Sequence, residues 1–179
     1  MKNISNYVTN LNFEYAITYS GLRGKKFHDL KEVNEKEIKR IKKELASSRY
    51  VQIPKLNKQI EALEEEINIY RALIIDKNET FHKSTEKVYK FEKEDKQLQS
   101  ILEILNTKFE EQTFAMCPPV FRDAIVFYSN EHKIIRILQL CFSCWWIKDE
   151  NNQDIQVDHK IFPLLKHKLI EVGHKIEEE

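Results

Sequence analysis

The chain has 179 residues, and its 29 Lys+Arg are balanced by 29 Asp+Glu, giving a formal net charge of zero. That balance argues against broad electrostatic attraction to nucleic acid or an anionic membrane, while leaving local basic patches open. With 41% hydrophobic residues and only 3 Gly and 4 Pro, the composition excludes wholesale disorder and collagen-like or low-complexity chains, and is enough for a core of its own.

Residues 1–10 are polar, with no apolar run of signal-peptide length. No stretch reaches the roughly 18 apolar residues that span a bilayer, so a cytoplasmic location without membrane association is the expectation. Phe13–Tyr19 alternates aromatic and β-branched residues with others and predicts a strand. Gly21 and Gly24 then mark an exposed turn carrying Arg23, Lys25 and Lys26. The GLRGKK run lacks the spacing and the Lys-Ser/Thr pair of a phosphate loop. A first helix is capped by Asn34 with Glu37 three residues on, and its stripe is Val33, Ile38, Ile41 and Leu45. Ser47-Ser48 breaks it, and Pro54 suits the first turn of the next helix, striped by Leu56, Ile60, Leu63 and Ile67. That helix runs to about Glu66. The β-formers Ile67–Ile75 then read as a strand, against the alternative of one continuous helix over 55–75 that would make a partner-binding arm.

Lys87–Phe91 reads as an edge strand guarded by lysines. Glu94 or Asp95 opens the most regular helix of the chain, with Leu98, Ile101, Leu102, Leu105 and Phe109 on one face. Asp123–Ser129 and Ile134–Phe142 are two strong strands joined by Asn130–Lys133, the first apolar on both faces and so central. A polar loop, Lys148–Asp154, leads to a last helix with Ile161, Leu164, Leu165, Leu169 and Val172 on one face. Pro163 lies in its first turn, and Gly173 is its left-handed cap. His82, His167 and His174 stand among polar residues and read as surface. The fold class is therefore α+β: an antiparallel or mixed sheet with a central C-terminal β-hairpin and about four helices packed mainly on one face. The chain forms a single domain with its core unit at 54–176. An alternative organisation sets the strand and helix of 1–53 apart as an appendage.

The most distinctive residues are the three cysteines. Cys117-Pro118-Pro119 precedes the hairpin and Cys141-Phe142-Ser143-Cys144-Trp145-Trp146 ends it. Folding the hairpin carries Cys117 toward Cys141 or Cys144. Those two share one site only if the chain turns or bulges between them. Three readings fit: small buried hydrophobes; a zinc site of Cys117, Cys141, Cys144 and a histidine, with His159 the nearest and His132 further off; or a redox or nucleophilic thiol, which Asp123 or His159 would assist. An odd count is no secreted disulfide framework and points to a reducing setting. Of Trp145 and Trp146, one is core and the other partly exposed, either packing under the last helix or serving as a partner anchor.

The pattern Cys117-x-Pro119, Asp123-Ala124-Ile125-x-Phe127-Tyr128, Ile137-x-x-x-Cys141-Phe142-x-Cys144 resembles a group of small uncharacterised bacterial proteins. In that group a β-hairpin ends in Cys-Phe-x-Cys and a helix ending in Gly follows. The resemblance covers roughly residues 94–174. It implies a shared fold unit and, since its members often carry an export or lipid-anchor sequence, nothing firm on location or chemistry.

No zinc-protease, serine-hydrolase, kinase or dinucleotide motif occurs, so catalysis is not expected. The expected function is a small cytoplasmic protein–protein interaction module, acting as an adaptor, an inhibitor or immunity-type partner, or a non-catalytic subunit. It would use the helices between Val33 and Glu66 or the Trp145–Trp146 edge. Two alternatives stand beside it. One is a zinc-binding or thiol-redox protein built on Cys117, Cys141, Cys144 and His159, zinc being the only cofactor in view. The other is a nucleic-acid accessory protein using Arg23, Lys25 and Lys26.

Overall fold

A computed structural model describes residues 2–108, 110 and 117–176. Among these residues the order is β1 (Lys2–Asn3), α1 (Ile4–Val8), β2 (Tyr15–Ser20), α2 (Gly24–Ala46), a 3-10 turn (Tyr50–Gln52), α3 (Ile53–Ile67), β3 (Glu86–Glu92), α4 (Lys96–Leu105), β4 (Asp123–Tyr128), β5 (Ile134–Cys141), β6 (Trp146–Lys148), β7 (Asp154–Gln156) and α5 (Ile161–Glu171). The strands form one sheet in the order β1-β7-β6-β5-β4-β2-β3. All pairings are antiparallel except β1 beside β7. The fold is α+β, with the β4–β5 hairpin at the centre of the sheet.

The continuous apolar run in β4 has the predicted consequence: all six of its residues are buried. Alternation sends Ile125 and Phe127 to one face, where they meet α1, α4 and α5 through Ile4, Leu98, Ile101, Leu105, Leu165 and Leu169. Ala124, Val126 and Tyr128 point to the other face, covered by Leu22, Ile74 and Ile75 together with Phe27 and Phe81. Helices thus cover one face, while loop segments cover most of the other. There the Tyr19 and Tyr128 hydroxyls lie 2.7 Å apart, and burial pushes both phenols above their ordinary range. Asp95 caps α4 by accepting from the Gln97 amide at 2.8 Å. Phe109, expected at the end of that stripe, lies outside the described residues, as does the Glu177–Glu179 tail.

Several expectations need correction. Past Ile67, residues 68–75 are neither a strand nor a continuation of the helix. α3 stops at Ile67, and the Asn68 side chain accepts from the Tyr70 amide at 3.1 Å, an Asx turn that competes with further helix. Only an isolated bridge between Ile75 and Phe81 remains of the strand. The apolar run Leu73-Ile74-Ile75 is β-like in composition because it covers buried surface: Ile74 and Ile75 are fully buried and Leu73 partly so. Asn34 is no cap: α2 begins ten residues earlier, at Gly24, and Asn34 is buried within it, donating to Glu66 at 2.8 Å. Leu164 is exposed, and Phe162 takes the buried place expected for it. His82 is half-buried, bridging Ser84 and the Glu66 carbonyl.

α2 and α3 pack chiefly on each other. Ile38 and Ile41 meet Leu56 and Ile60, flanked by Leu45, Leu63 and Ile67, in a small core of their own. At 1.5 Å per residue the 23-residue α2 is about 35 Å long. The turn joining the two helices leaves Tyr50 and Val51 each 87% exposed.

Candidate functional site

The end of the sheet where β4 starts and β5 stops gathers the chemistry-bearing side chains. β5 ends at Cys141, the residues Phe142–Trp145 make a tight turn, and β6 returns from Trp146, which pairs with Cys141. Trp145 takes a left-handed φ of 55° in that turn. The turn is what lets residues 141 and 144 share a neighbourhood, and the start of β4 brings the third cysteine to it. Cys117 and Cys144 form a disulfide, with Cα atoms 5.9 Å apart. Cys141 keeps a buried free thiol, which accepts from the Val120 amide at 3.3 Å and lies 3.5 Å from the Ser143 hydroxyl. Phe121, Leu73 and Trp146 pack around the three sulfurs. The convergence expected from the hairpin is present.

The expected zinc ligand set is not assembled in this arrangement. Cys117 and Cys144 are bonded to each other, so two of the required thiolates are spent. His159 lies against Trp145, ring centroids 5.7 Å apart, and 3.7 Å from Asp158. Among the described residues no group of three or more His, Cys, Asp or Glu side chains converges as metal ligands. Trp146 is half-buried against the cysteines and Trp145 is exposed, so neither is the core residue expected of the pair.

A second constellation abuts the cysteines, and the sequence reading missed it. His174, expected at the surface, has a fully buried side chain, and its Nδ1 lies 2.7 Å from Asp123 Oδ1. Gly173 places it there. With φ of 105° it ends α5, its amide donating to the Ile170 carbonyl and the His174 amide to the Leu169 carbonyl, each at 3.0 Å. That double bond pattern is a Schellman cap, which folds the next residue back onto the body. The other Asp123 oxygen accepts from Arg23. Arg23 is thus no part of an exposed basic turn: it is mostly buried, paired with Asp123, and also donates to the Lys175 carbonyl at 2.6 Å. Lys25 and Lys26 do lie exposed, Lys25 paired with Asp29 at 2.5 Å and Lys26 donating to the Thr85 carbonyl at 2.8 Å. One signal for this cluster was legible: Asp123 opens the most apolar strand of the chain, where a buried carboxylate needs a cationic or donor partner.

Beside Asp123 opens a cleft of about 180 Å³ lined by Arg23, Arg122, Ser143 and Lys166, with apolar walls from Val120 and Phe142. Arg122 and Ser143 also line a shallow groove that contains Cys117 and Cys144, so the disulfide and the cleft are neighbours. Among the described residues no helix is long and apolar enough to cross a membrane.

No protein-family model matches the chain, and neither a curated protein nor a solved structure matches it.

Proposed function

We propose that the protein is a cytoplasmic protein–protein interaction module whose docking element is the α2–α3 helical arm. The observation that carries this reading is the arm's tip, where Tyr50 and Val51 are each 87% exposed on a turn between two helices that pack mainly on each other. An aromatic and a branched aliphatic side chain held at the end of a helical pair are poor solvent neighbours and good interface anchors. The rest of the arm is charged and self-paired, as between Arg40 and Glu37 at 2.7 Å or Lys42 and Glu64 at 3.0 Å, so the tip is its chief apolar offering. The test is affinity enrichment from the source cell with the wild-type chain and with a Tyr50→Ser/Val51→Ser double variant. A stoichiometric protein partner retained by the first and lost by the second, at equal melting temperature, is the expected result. Identical recoveries, or no stoichiometric partner, would refute the arm as docking element.

A second reading, a thiol-redox role, is favoured by one feature: a disulfide with a third, buried thiol packed beside it. A resting disulfide sits poorly with a reducing cytoplasm, which makes oxidation state the discriminating observation. Differential alkylation of cells followed by mass spectrometry should find Cys117 and Cys144 cycling between bonded and free forms under oxidant. A bond that never changes state would leave it a structural cross-link.

A further inference from the structure

The helical arm is electrically asymmetric from tip to base. Between Lys39 and Lys58, which bracket the tip, stand seven Lys and Arg side chains and one carboxylate, Glu44. At the base the balance reverses: a shallow groove lined by Glu61, Glu64, Glu65, Asn68 and Arg71 holds three carboxylates against one guanidinium. The undescribed residues adjoin Lys2, Glu110, Cys117 and Ile176, which belong to the sheet body, and all of these arm charges lie in described parts of the chain.

Much of the arm's charge is neutralised within it, as Arg40 by Glu37 and Lys42 by Glu64. The outer face of α3 is different. Its inner side is set by Leu56 and Ile60, with Leu63 and Ile67 beside them. At about 100° per residue, Lys55, Lys58, Glu61 and Glu65 lie in one stripe on the opposite side. All four are exposed, and none has an ion-pair or hydrogen-bond partner among the described residues. From tip to base the stripe reads cation, cation, carboxylate, carboxylate.

A stripe in that order is complementary to itself turned end for end. With two copies of α3 antiparallel and a two-fold axis at the level of Ile60, Lys55 faces Glu65 of the second copy and Lys58 faces its Glu61, and the symmetry repeats each pair. The same register sets Tyr50 and Val51 level with Tyr70 and Ile69 of the second copy. Tyr50 is 87% exposed and Tyr70 61%, so apolar surface meets apolar surface at both ends of the seam. The ion pairs fix orientation and register, and burial of the apolar ends supplies most of the affinity. Nucleic acid, or a uniformly acidic protein, would be repelled by the carboxylate half of the stripe. A surface of reversed polarity satisfies both halves, and a second copy presents one.

We propose that the arm pairs antiparallel with the arm of a second copy of this chain, through the Lys55–Lys58–Glu61–Glu65 stripe and the apolar tip. The inference rests on the arm as docking element and names its partner.

Sedimentation equilibrium of the full chain tests it. A monomer–dimer equilibrium with Kd of about 100 µM or tighter is expected at low salt, weakened about tenfold on going from about 0.05 to about 0.5 M salt. Lys55→Glu/Lys58→Glu makes the stripe wholly acidic, and Glu61→Lys/Glu65→Lys makes it wholly basic. Each alone should dimerise at least about tenfold more weakly than the wild type. Mixed in equal amounts, they should form a heterodimer at least as tight as the wild-type dimer, a rescue that misfolding of either variant could not produce. The four sites are exposed and the replacements are good helix formers, so both variants keep the fold, which circular dichroism checks. Tyr50→Ser/Val51→Ser should weaken the dimer as well. A wild-type chain that stays monomeric up to about 500 µM, charge variants that dimerise as the wild type does, or a mixture that stays monomeric would each overturn the pairing. Where the wild type is monomeric and the cell enrichment still finds a tip-dependent partner, the arm remains a docking element and the self-pairing alone falls.

Discussion

The sheet body and the helical arm are held together in different ways. In the body, β4 is buried along its whole length and loads two cores at once, one on each face of the sheet. In the arm, α2 and α3 share a single seam whose buried members are Ile38, Ile41, Leu56 and Ile60. The remaining links across and along the arm are mostly exposed ion pairs, such as Lys42–Glu64 and Lys36–Glu32, which contribute little in water. The difference teaches where cooperativity resides. A strand that serves two cores cannot be disturbed on one face without cost to the other. A helix pair with one narrow seam can loosen while the sheet stays folded.

The largest effect should come from the shared strand. Phe127 is fully buried and meets Phe13 edge-on at 5.1 Å. Phe127→Ala should cost about 3–5 kcal/mol, read as a lowered urea midpoint affecting all probes together. If only one face of the sheet responds, the two cores are not coupled through β4. Next comes the arm. Ile41→Ala empties the middle of the seam and should cost about 2 kcal/mol or more locally. Hydrogen exchange should accelerate across 34–66 while the protection of β4 and β5 is kept. Equal loss in the sheet would erase the distinction between arm and body. The smallest effect belongs to the tip. The Tyr50→Ser/Val51→Ser pair used to test docking should shift stability by less than about 0.5 kcal/mol, as for other exposed sites. A larger shift would mean that those side chains pack on something within the chain.

Legibility in the sequence followed the same division. The hairpin could be read because β4 and β5 combine long apolar runs with a polar four-residue turn, a pattern set by neighbours in sequence. α4 was readable from the spacing of Leu98, Ile101 and Leu105 and from Asp95 as cap. The convergence of the cysteines followed from hairpin topology, since pairing brings the beginning of one strand beside the end of the next. The segment 67–75 misled because burial and strand propensity select the same residues: Ile74 and Ile75 are apolar to cover the sheet, not to pair within it. Asn34 misled because a side chain suited to capping also suits a buried hydrogen bond, here to Glu66. The Arg23–Asp123–His174 cluster escaped because its members are separated by 100 and 51 positions, and no local pattern records such a meeting.

What the chain's sequence determined alone is the set of local commitments: balanced charge, a two-sided central strand, amphipathic helices, and glycine at the end of α5. Each depends on periodicity or on the conformational range of one residue, and so is written within a few positions. Tertiary structure alone decided which polar groups are removed from water together. It placed a histidine with polar neighbours in sequence against Asp123 and closed a disulfide between Cys117 and Cys144. Burial is a property of the assembled surfaces, and the electrostatic demands that define a site arise only when those surfaces meet.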